Sequence, residues 1–279
     1  MSVCTAKCLV HCERLWTFEL TYPRYIHSEF MTHRAFSRNA SSSRAIPVKR
    51  MIEQVENNPA IPPKVFMNAR GMAGKELASD IATYAFKALW EEAAESACNI
   101  AKTMEHLGIH KQHINRILEP FQFIKVVVTA TEWTNFFVLR FASDAQPEMR
   151  ELAGAIYDEM ERYRNETVGC IAVPTSLSED TVISLPYITE ADFKEVGKDD
   201  YGVLMRISAA RCARVSYNNH DGSKPDIKKD LELYERLYSS RHMSPMEHTC
   251  IQAYEWSKNA NLVGWKSLRF MIETYEDMP

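Results

Sequence analysis

The sequence predicts a protein of the α/β (α+β) class, in which a sheet is flanked by long helices. Residues 121–131 contain a β-branched run typical of a buried strand, and residues 7–22 alternate loosely like one or two further strands. Residues 75–107 and 147–164 place apolar side chains at helical spacing. We therefore expect buried strands supported by long scaffold helices.

The first half of the chain divides at its prolines and glycines. A helical pattern over 24–33 follows Pro23, and a polar segment, 32–47, comes next. Pro47 suits the first turn of a short helix over 48–55. Gly108 suits the position after a helix, which separates the helix of residues 75–107 from another at 110–118.

The second half is predicted to be more helical. Residues 165–200 are predicted to be an irregular connection with a strand at 181–185. Helices over 201–214 and 227–238 follow, and then a strand over 249–256.

Composition excludes several classes of protein. The 279 residues are 46% hydrophobic and 25% charged, as in ordinary globular domains, and we predict one domain over 1–279. A net charge of −4 argues against a dedicated nucleic-acid binder, and no apolar run reaches membrane-spanning length. The first residues lack the features of a signal peptide, so a cytoplasmic location is expected.

Neither cluster of cysteine or histidine residues predicts a metal site. Seven cysteines, an odd number, fit reduced thiols better than a disulfide framework. Cys4, Cys8 and Cys12 lie among apolar residues and are better explained as buried small side chains. His242 and His248 flank a proline at a spacing without standard ligand geometry.

Residues 32–47 carry the strongest chemical signal. The segment contains three arginines, four serines, an asparagine and a histidine, with neither helical nor strand periodicity. Hydroxyl groups and guanidinium forks suit a phosphate, so one interpretation is an anion-binding loop for a nucleotide or cofactor. The other is a solvated basic loop, and the segment alone does not separate the two.

This segment resembles the signature of flavin-dependent thymidylate synthases. That signature reads Arg-His-Arg, two variable residues, Ser, one variable residue, Asn, two variable residues, Ser, one variable residue and Arg. Only its first arginine is missing, replaced by Thr32. The residues in register are His33, Arg34, Ser37, Asn39, Ser42 and Arg44.

Two later blocks resemble the same family. The family's Asn-Phe, Leu-Arg and Ala-Gln pairs have counterparts within residues 135–148. Its Ala-Arg-Val-Ser-aromatic and Pro-x-Glu-His segments have counterparts at 213–217 and 242–248. In common members these last two segments precede the signature, so the chain resembles a circularly permuted version, which is tolerated when the former termini lie close together.

The resemblance implies a mixed sheet flanked by long helices and a homotetramer with shared active sites. It also implies methylation of dUMP to dTMP, with FAD as hydride carrier, methylenetetrahydrofolate as carbon donor and NADPH as reductant. The net charge and the lack of a long apolar run predict no nucleic-acid or membrane partner. Arg140 is the implied catalytic residue, stabilising negative charge on the pyrimidine. The implied dUMP contacts are Ser42, Ser43, Arg44, Arg116 and Arg140. The implied FAD contacts are His33, Arg34, Asn39, Asn135, Ser216 and His248.

Three departures from the family leave alternatives open. Besides Thr32, Glu29 stands where a glutamine is common, and Asp144 stands where a histidine is common. A flavin enzyme that makes 5-hydroxymethyl-dUMP is therefore an alternative. A hypothesis from another class is a nucleotide- or RNA-binding module in which residues 32–50 contact phosphates. The acidic net charge and the two later blocks disfavour this second alternative.

Overall fold

The computed structural model contains two four-stranded antiparallel sheets and ten α-helices in the part of the chain that it describes. The described residues are 3–71, 74, 76–173, 181–197, 200–217, 226–253 and 257–275, without the side chains of Ser216 and Tyr217. The predicted class is confirmed. However, every strand pair in these sheets is antiparallel, so the expectation of a mixed sheet is wrong.

The first sheet has the order β1-β2-β4-β3, and the second has the order β10-β7-β6-β5. Strands β8 and β9 form a separate pair. The strands are β1 Thr5–Cys12, β2 Leu15–Pro23, β3 Ser37–Ala40, β4 Phe123–Ala130, β5 Cys170–Val173, β6 Thr181–Ser184, β7 Cys250–Gln252, β8 Lys258–Asn259, β9 Leu262–Val263 and β10 Trp265–Ser267.

Helices connect and cover these sheets. They are α1 His27–Met31, α2 Val48–Asn57, α3 Asp80–His106, α4 Lys111–Leu118, α5 Thr134–Arg140, α6 Pro147–Tyr163, α7 Glu190–Val196, α8 Tyr201–Tyr217, α9 Ile227–Ser239 and α10 Leu268–Tyr275. Short 3₁₀ turns are formed by Arg24–Ile26, Ser43–Ala45, Glu119–Phe121 and Ser244–Glu247. None of the described helices combines the length and the apolar composition that a membrane crossing requires.

Strand β4 is the centre of the first sheet, and its two faces explain its composition. Val126 and Val128 pack with Leu152 and Ile156 of α6 in the largest core cluster. Val127 points to the opposite face and packs against Cys212 and Val215 of α8. Because successive side chains of a strand alternate between faces, burial on both sides requires the continuous apolar run.

Most predicted elements are confirmed, with differences at their ends. The helix predicted over 24–33 is a 3₁₀ turn followed by the short α1. Helix α3 begins only at Asp80, because the Ser79 hydroxyl caps it by accepting from the Ala82 N–H group. Its early apolar members Ile81 and Tyr84 are exposed rather than packed. The predicted strand over 249–256 spans only Cys250–Gln252, and residues 254–256 lie outside the described part.

The stretch 165–200 is more ordered than predicted. The strand expected at 181–185 is β6, but β5 and α7 were not expected. Helix α7 begins with a capping box in which Thr189 and Asp192 satisfy each other's backbone and side-chain groups. Strand β5 is only four residues long, which is too short for its periodicity to predict it.

Candidate active site

The signature segment is partly a strand, although a loop was expected throughout. Residues Ser37–Ala40 form β3, an edge strand paired with β4 from Thr129 to Val126. The pairing continues where the Ser41 N–H group donates to the Lys125 carbonyl at 2.8 Å. Backbone hydrogen bonds to β4 therefore determine this strand, and side-chain periodicity does not.

Two residues with different implied ligands are in direct contact. Arg140, at the end of α5, donates from Nε to Nε2 of His33 at 2.9 Å. Burial, and then the positive charges of Arg140 and Arg38, lower the pKa of His33 to about 4. The imidazole is thus neutral at pH 7, with Nε2 as acceptor and its proton on Nδ1. Arg140 is thus held in place by a neutral acceptor.

Aromatic packing fixes the histidine of this pair. The His33 ring is 4.9 Å from the Phe136 ring in an edge arrangement and 5.7 Å from the Phe36 ring. Both phenylalanines are buried in the core of the first sheet. The His33–Arg140 pair is therefore attached to a rigid support rather than to a mobile loop.

Two of the three departures from the family lie beside Arg140. Its Nη2 is 3.4 Å from the Glu29 carbonyl and 3.5 Å from the Thr32 hydroxyl. No acceptor for Nη1 is present among the described residues. The third departure, Asp144, is exposed on the connection between α5 and α6.

The implied phosphate contacts occupy the turn after β3. Ser42 precedes this 3₁₀ turn, and Arg44 lies within it and is exposed. Ser43 is buried, and its hydroxyl donates to Glu119. Arg116 on α4 is exposed and donates to the same carboxylate at 3.0 Å. Ser42 and Arg44 are thus open to a ligand, whereas Ser43 and Arg116 contact Glu119.

A cavity of about 610 Å³ borders this turn. Ser41 and Ile46 contribute to its wall from the signature segment, and so do Phe123 at the start of β4 and Gln122 just before it. The Gln122 amide nitrogen is buried and has no hydrogen-bond partner in the described structure. The volume lies within the range of small-molecule sites.

The C-terminal blocks meet the signature strand. The Asn39 amide nitrogen donates to the Cys212 carbonyl at 2.8 Å, and the Ser244 hydroxyl donates to the Asn39 amide oxygen at 3.3 Å. Thr129, the partner of Ser37 across β3 and β4, is 2.9 Å from Nδ1 of His248. Residues more than 100 positions apart in the sequence are thus brought together here. The Ser216 side chain lies outside the described residues.

His248 is the most deeply buried of the implied FAD contacts. It has no exposed surface, and burial lowers the pKa of its imidazole to about 3. Its Nε2 atom has no hydrogen-bond partner within the described ranges. The ring is therefore neutral, and in this conformation its unpartnered nitrogen is not open to solvent.

The donor set nevertheless fits an anionic dinucleotide cofactor. Arg34 and Asn135 are exposed and present a guanidinium fork and a side-chain amide. His33 is in contact with Arg140 and is a neutral imidazole. The Asn39 amide is already used to connect β3 with α8 and the turn Ser244–Glu247.

The cysteines are free thiols, and most of them are buried. All seven are free, and Cys4, Cys8 and Cys12 are buried as predicted. Cys212 has arginine neighbours in the sequence, but burial raises the pKa of its thiol well above the usual value. Among the described residues, no group of three or more histidine, cysteine or acidic side chains is arranged to bind a metal.

Sequence reasoning missed Glu119, Asn115 and Thr129. Glu119 accepts from the Ser43 hydroxyl, and the buried Asn115 donates to the Ser43 carbonyl at 2.7 Å. The available signal was the four-residue spacing of polar residues on α4, which marks one face of a helix. Thr129 offered no such signal within its β-branched strand.

A family model supports the resemblance independently. The Thy1 model, described as thymidylate synthase complementing protein, matches residues 12–163, which is more than half of the chain. The match ends before the blocks at 213–217 and 242–248, so the permuted order of the motifs stays a prediction. A search of curated proteins returns no match.

Solved structures show distant similarity. The UMP/dUMP methylase PolB from Streptomyces cacaoi bound with 5-Br UMP is 15% identical over 53% of this chain and 69% of its own, with a TM-score of 0.43. Thymidylate synthase X (ThyX) from Helicobacter pylori with FAD and dUMP is 15% identical over 52% of this chain and 66% of its own, with a TM-score of 0.37. On the match to its family model, the chain belongs to the thymidylate synthase complementing protein family, the flavin-dependent thymidylate synthases, which use FAD with NADPH and folate as co-substrates.

Proposed function

We propose that this protein methylates dUMP to dTMP, using methylenetetrahydrofolate and NADPH. The observation that carries the proposal is the 2.9 Å contact between Arg140 and a neutral His33. It joins the residue implied for the pyrimidine to a residue implied for the flavin. Substrate and cofactor bound to these side chains would therefore be neighbours, as hydride transfer requires.

Arg140 is proposed as the catalytic group. Its Nε is occupied by His33, which fixes the plane of the guanidinium. Nη2 lies against Glu29 and Thr32, so the N–H groups of Nη1 are proposed to face the pyrimidine, where they stabilise the negative charge that develops as carbon 5 becomes nucleophilic. Because His33 is uncharged at pH 7, it orients Arg140 without neutralising it.

Ser42 and Arg44 are proposed to hold the dUMP phosphate. Arg44 is exposed and is not ion-paired within the described structure, so its planar fork is available for bidentate contact with phosphate oxygens. Ser43 and Arg116 contribute indirectly, through their contacts with Glu119.

FAD is proposed to be held by His33, Arg34 and Asn135, and by Ser216 from the C-terminal block. FAD supplies hydride transfer to the reaction. The buried His248 is proposed to contact it only after its ring is uncovered. Thr129 keeps that ring oriented meanwhile.

Identification of the product distinguishes methylation of dUMP from hydroxymethylation. Thr32 and Glu29 depart from the family and lie against Arg140, which keeps 5-hydroxymethyl-dUMP as the second candidate product. Mass spectrometry after incubation with FAD, NADPH, dUMP and methylenetetrahydrofolate should show dTMP. A product heavier by one oxygen would favour the hydroxymethylase.

The purified protein also tests the alternative hypothesis of a nucleotide- or RNA-binding module without catalysis. We expect a yellow protein, or one that FAD stabilises against heat. A colourless protein that FAD does not stabilise against heat, and that binds RNA in a salt-dependent manner, would contradict the proposal.

We expect Arg44→Ala to weaken dUMP binding by about ten- to a hundredfold, because a charge-assisted contact with phosphate is lost. The affinity for FAD should change far less. Calorimetric titration of the apoprotein with FAD, and of the FAD-loaded protein with dUMP, measures the two affinities. Lys49→Ala, an exposed cation nearby on α2, is the matched control and should leave dUMP affinity nearly unchanged. Equal losses for FAD and dUMP would mean that the turn is misassigned.

A homotetramer with shared active sites is proposed for the assembly. Large apolar side chains are exposed on α3 and α5: Ile81 is 83% exposed, Tyr84 78% and Val138 66%. Exposed apolar surface of this kind favours contact between subunits. Light scattering should give four times the mass of one chain, and Tyr84→Asp should lower it. A wild-type monomer at micromolar concentration would contradict this proposal.

A further inference from the structure

One face of helix α4 is hydrogen-bonded to the turn that carries Arg44. Lys111, Asn115 and Glu119 recur every four residues, with Glu119 starting the 3₁₀ turn that directly continues α4. Lys111 donates from Nζ to the Ala45 carbonyl at 3.1 Å. Asn115 donates from Nδ2 to the Ser43 carbonyl at 2.7 Å and to the Ile46 carbonyl at 2.9 Å. Glu119 accepts from the Ser43 hydroxyl.

The turn needs this external support. Ser43–Ala45 is only three residues long, and the Ser42 side chain does not cap it. So short a 3₁₀ segment has few internal hydrogen bonds and little stability of its own. The carbonyls of residues 43, 45 and 46 are bound by α4, whereas the Arg44 side chain is exposed. Helix α4 therefore determines which side of the turn faces solvent.

Burial of the Asn115 side chain is partly unfavourable for the stability of the fold. It has no exposed surface, and its Oδ1 has no hydrogen-bond partner in the described structure. A buried unpaired amide oxygen is unfavourable, and an isosteric leucine would avoid that penalty. What the amide adds, and leucine lacks, is the pair of hydrogen bonds to the turn.

Glu119 extends the same support to two cations. Its carboxylate accepts from Arg116 at 3.0 Å and lies 3.2 Å from the Arg24 guanidinium. A single acidic side chain thereby orients the Ser43 hydroxyl and two guanidinium groups beside the turn. Arg44, by contrast, is not paired with a carboxylate in the described structure.

We propose that Lys111, Asn115 and Glu119 are positioning residues for the nucleotide phosphate. They hold the turn in the conformation that presents Ser42 and Arg44, and they do not contact the ligand themselves. The inference rests on the proposed function, in which this turn binds the phosphate of dUMP.

The test compares dUMP with deoxyuridine on FAD-loaded Asn115→Leu. We expect the Kd and KM for dUMP to rise about ten- to thirtyfold, because two neutral hydrogen bonds to the turn are lost. The kcat should change less than threefold. Deoxyuridine has no phosphate, so its inhibition constant should be equal in wild type and variant. A general loss of structure would weaken both ligands and FAD.

Further variants keep the test informative if Asn115→Leu does not fold. Lys111 is only half-buried, and Lys111→Met should raise the Kd for dUMP about three- to tenfold, with Lys111→Arg restoring it. His113→Ala, on the exposed face of the same helix, is the matched control and should behave as wild type.

Three outcomes would overturn the inference, and they are distinguishable. If wild type binds dUMP but Asn115→Leu and Lys111→Met bind it within twofold of wild type, the positioning role is wrong and the proposed function stands. Equal losses for dUMP and deoxyuridine, with FAD binding unchanged, have the same meaning. If FAD-loaded wild type does not bind dUMP at all, the proposed function fails, and this inference fails with it.

Discussion

Arg140→Ala should lower the kcat for dUMP methylation by about 100- to 1,000-fold, the usual effect of removing a preorganised donor to developing charge. Arg140 is oriented by His33 through a 2.9 Å hydrogen bond, so its donors need no reorganisation during the reaction. Steady-state kinetics, together with the flavin absorbance of the variant, measure the effect. FAD should still bind, since His33 keeps its aromatic support from Phe36 and Phe136.

Two further variants make this result specific. Arg140→Lys keeps the charge but loses the planar fork, so its kcat should lie between those of wild type and Arg140→Ala. Arg162→Ala removes an exposed arginine on α6 that pairs with Glu159, and it should leave kcat unchanged. A kcat for Arg140→Ala within tenfold of wild type, with normal FAD binding, would exclude the catalytic role.

Asp230→Asn should destabilise the protein by about 3–5 kcal/mol, the range for breaking a buried ion pair. Asp230 has no exposed surface and accepts from Nε of both Arg211 and Arg214, each at 2.8 Å. Arg211 also donates to both carboxylate oxygens of Asp192 at 2.7 Å. Asparagine would leave the buried guanidinium group of Arg211 with only part of its countercharge. Denaturant unfolding followed by circular dichroism measures the free energy.

The matched control lies on the same helix. Glu235 is exposed and 3.9 Å from Arg206, so Glu235→Gln should change the free energy of unfolding by less than about 1 kcal/mol. If Asp230→Asn costs no more than this control, the network does not stabilise the fold.

The network also predicts sensitivity to acid. Burial would raise the pKa of Asp192, but hydrogen bonds from Arg211 and Thr189 outweigh burial and lower that pKa to about 2. A carboxylate with a lowered pKa in the folded state stabilises the protein above its ordinary pKa of 3.8. That stabilisation is lost as the pH falls from about 4 towards 2.

Local patterns predicted the family and most elements from the sequence alone. The spacing from His33 to Arg44 identified the family because its chemistry lies within one short segment. The β-branched run of β4 predicted a strand because both of its faces are buried. Composition likewise indicated that the cysteines are reduced and that Cys4, Cys8 and Cys12 are buried.

Other features depended on contacts between distant residues. Ser43 meets Glu119 from 76 positions away, and Thr129 meets His248 from 119 positions away. Periodicity reports only which face of an element is apolar, and it cannot tell which other element covers that face. For the same reason Ile81 and Tyr84 follow a helical pattern and still lie exposed.

The sequence by itself determined the class of the fold, the family signature and the residues implied to bind dUMP and FAD. Only the tertiary structure decided that Ser43 and Arg116 contact a carboxylate, that Arg140 contacts His33, and that His248 is fully buried. The physical reason is that a side chain's partners are set by how strands pair and helices pack. Those pairings join positions whose separation along the chain carries no information about their distance in space.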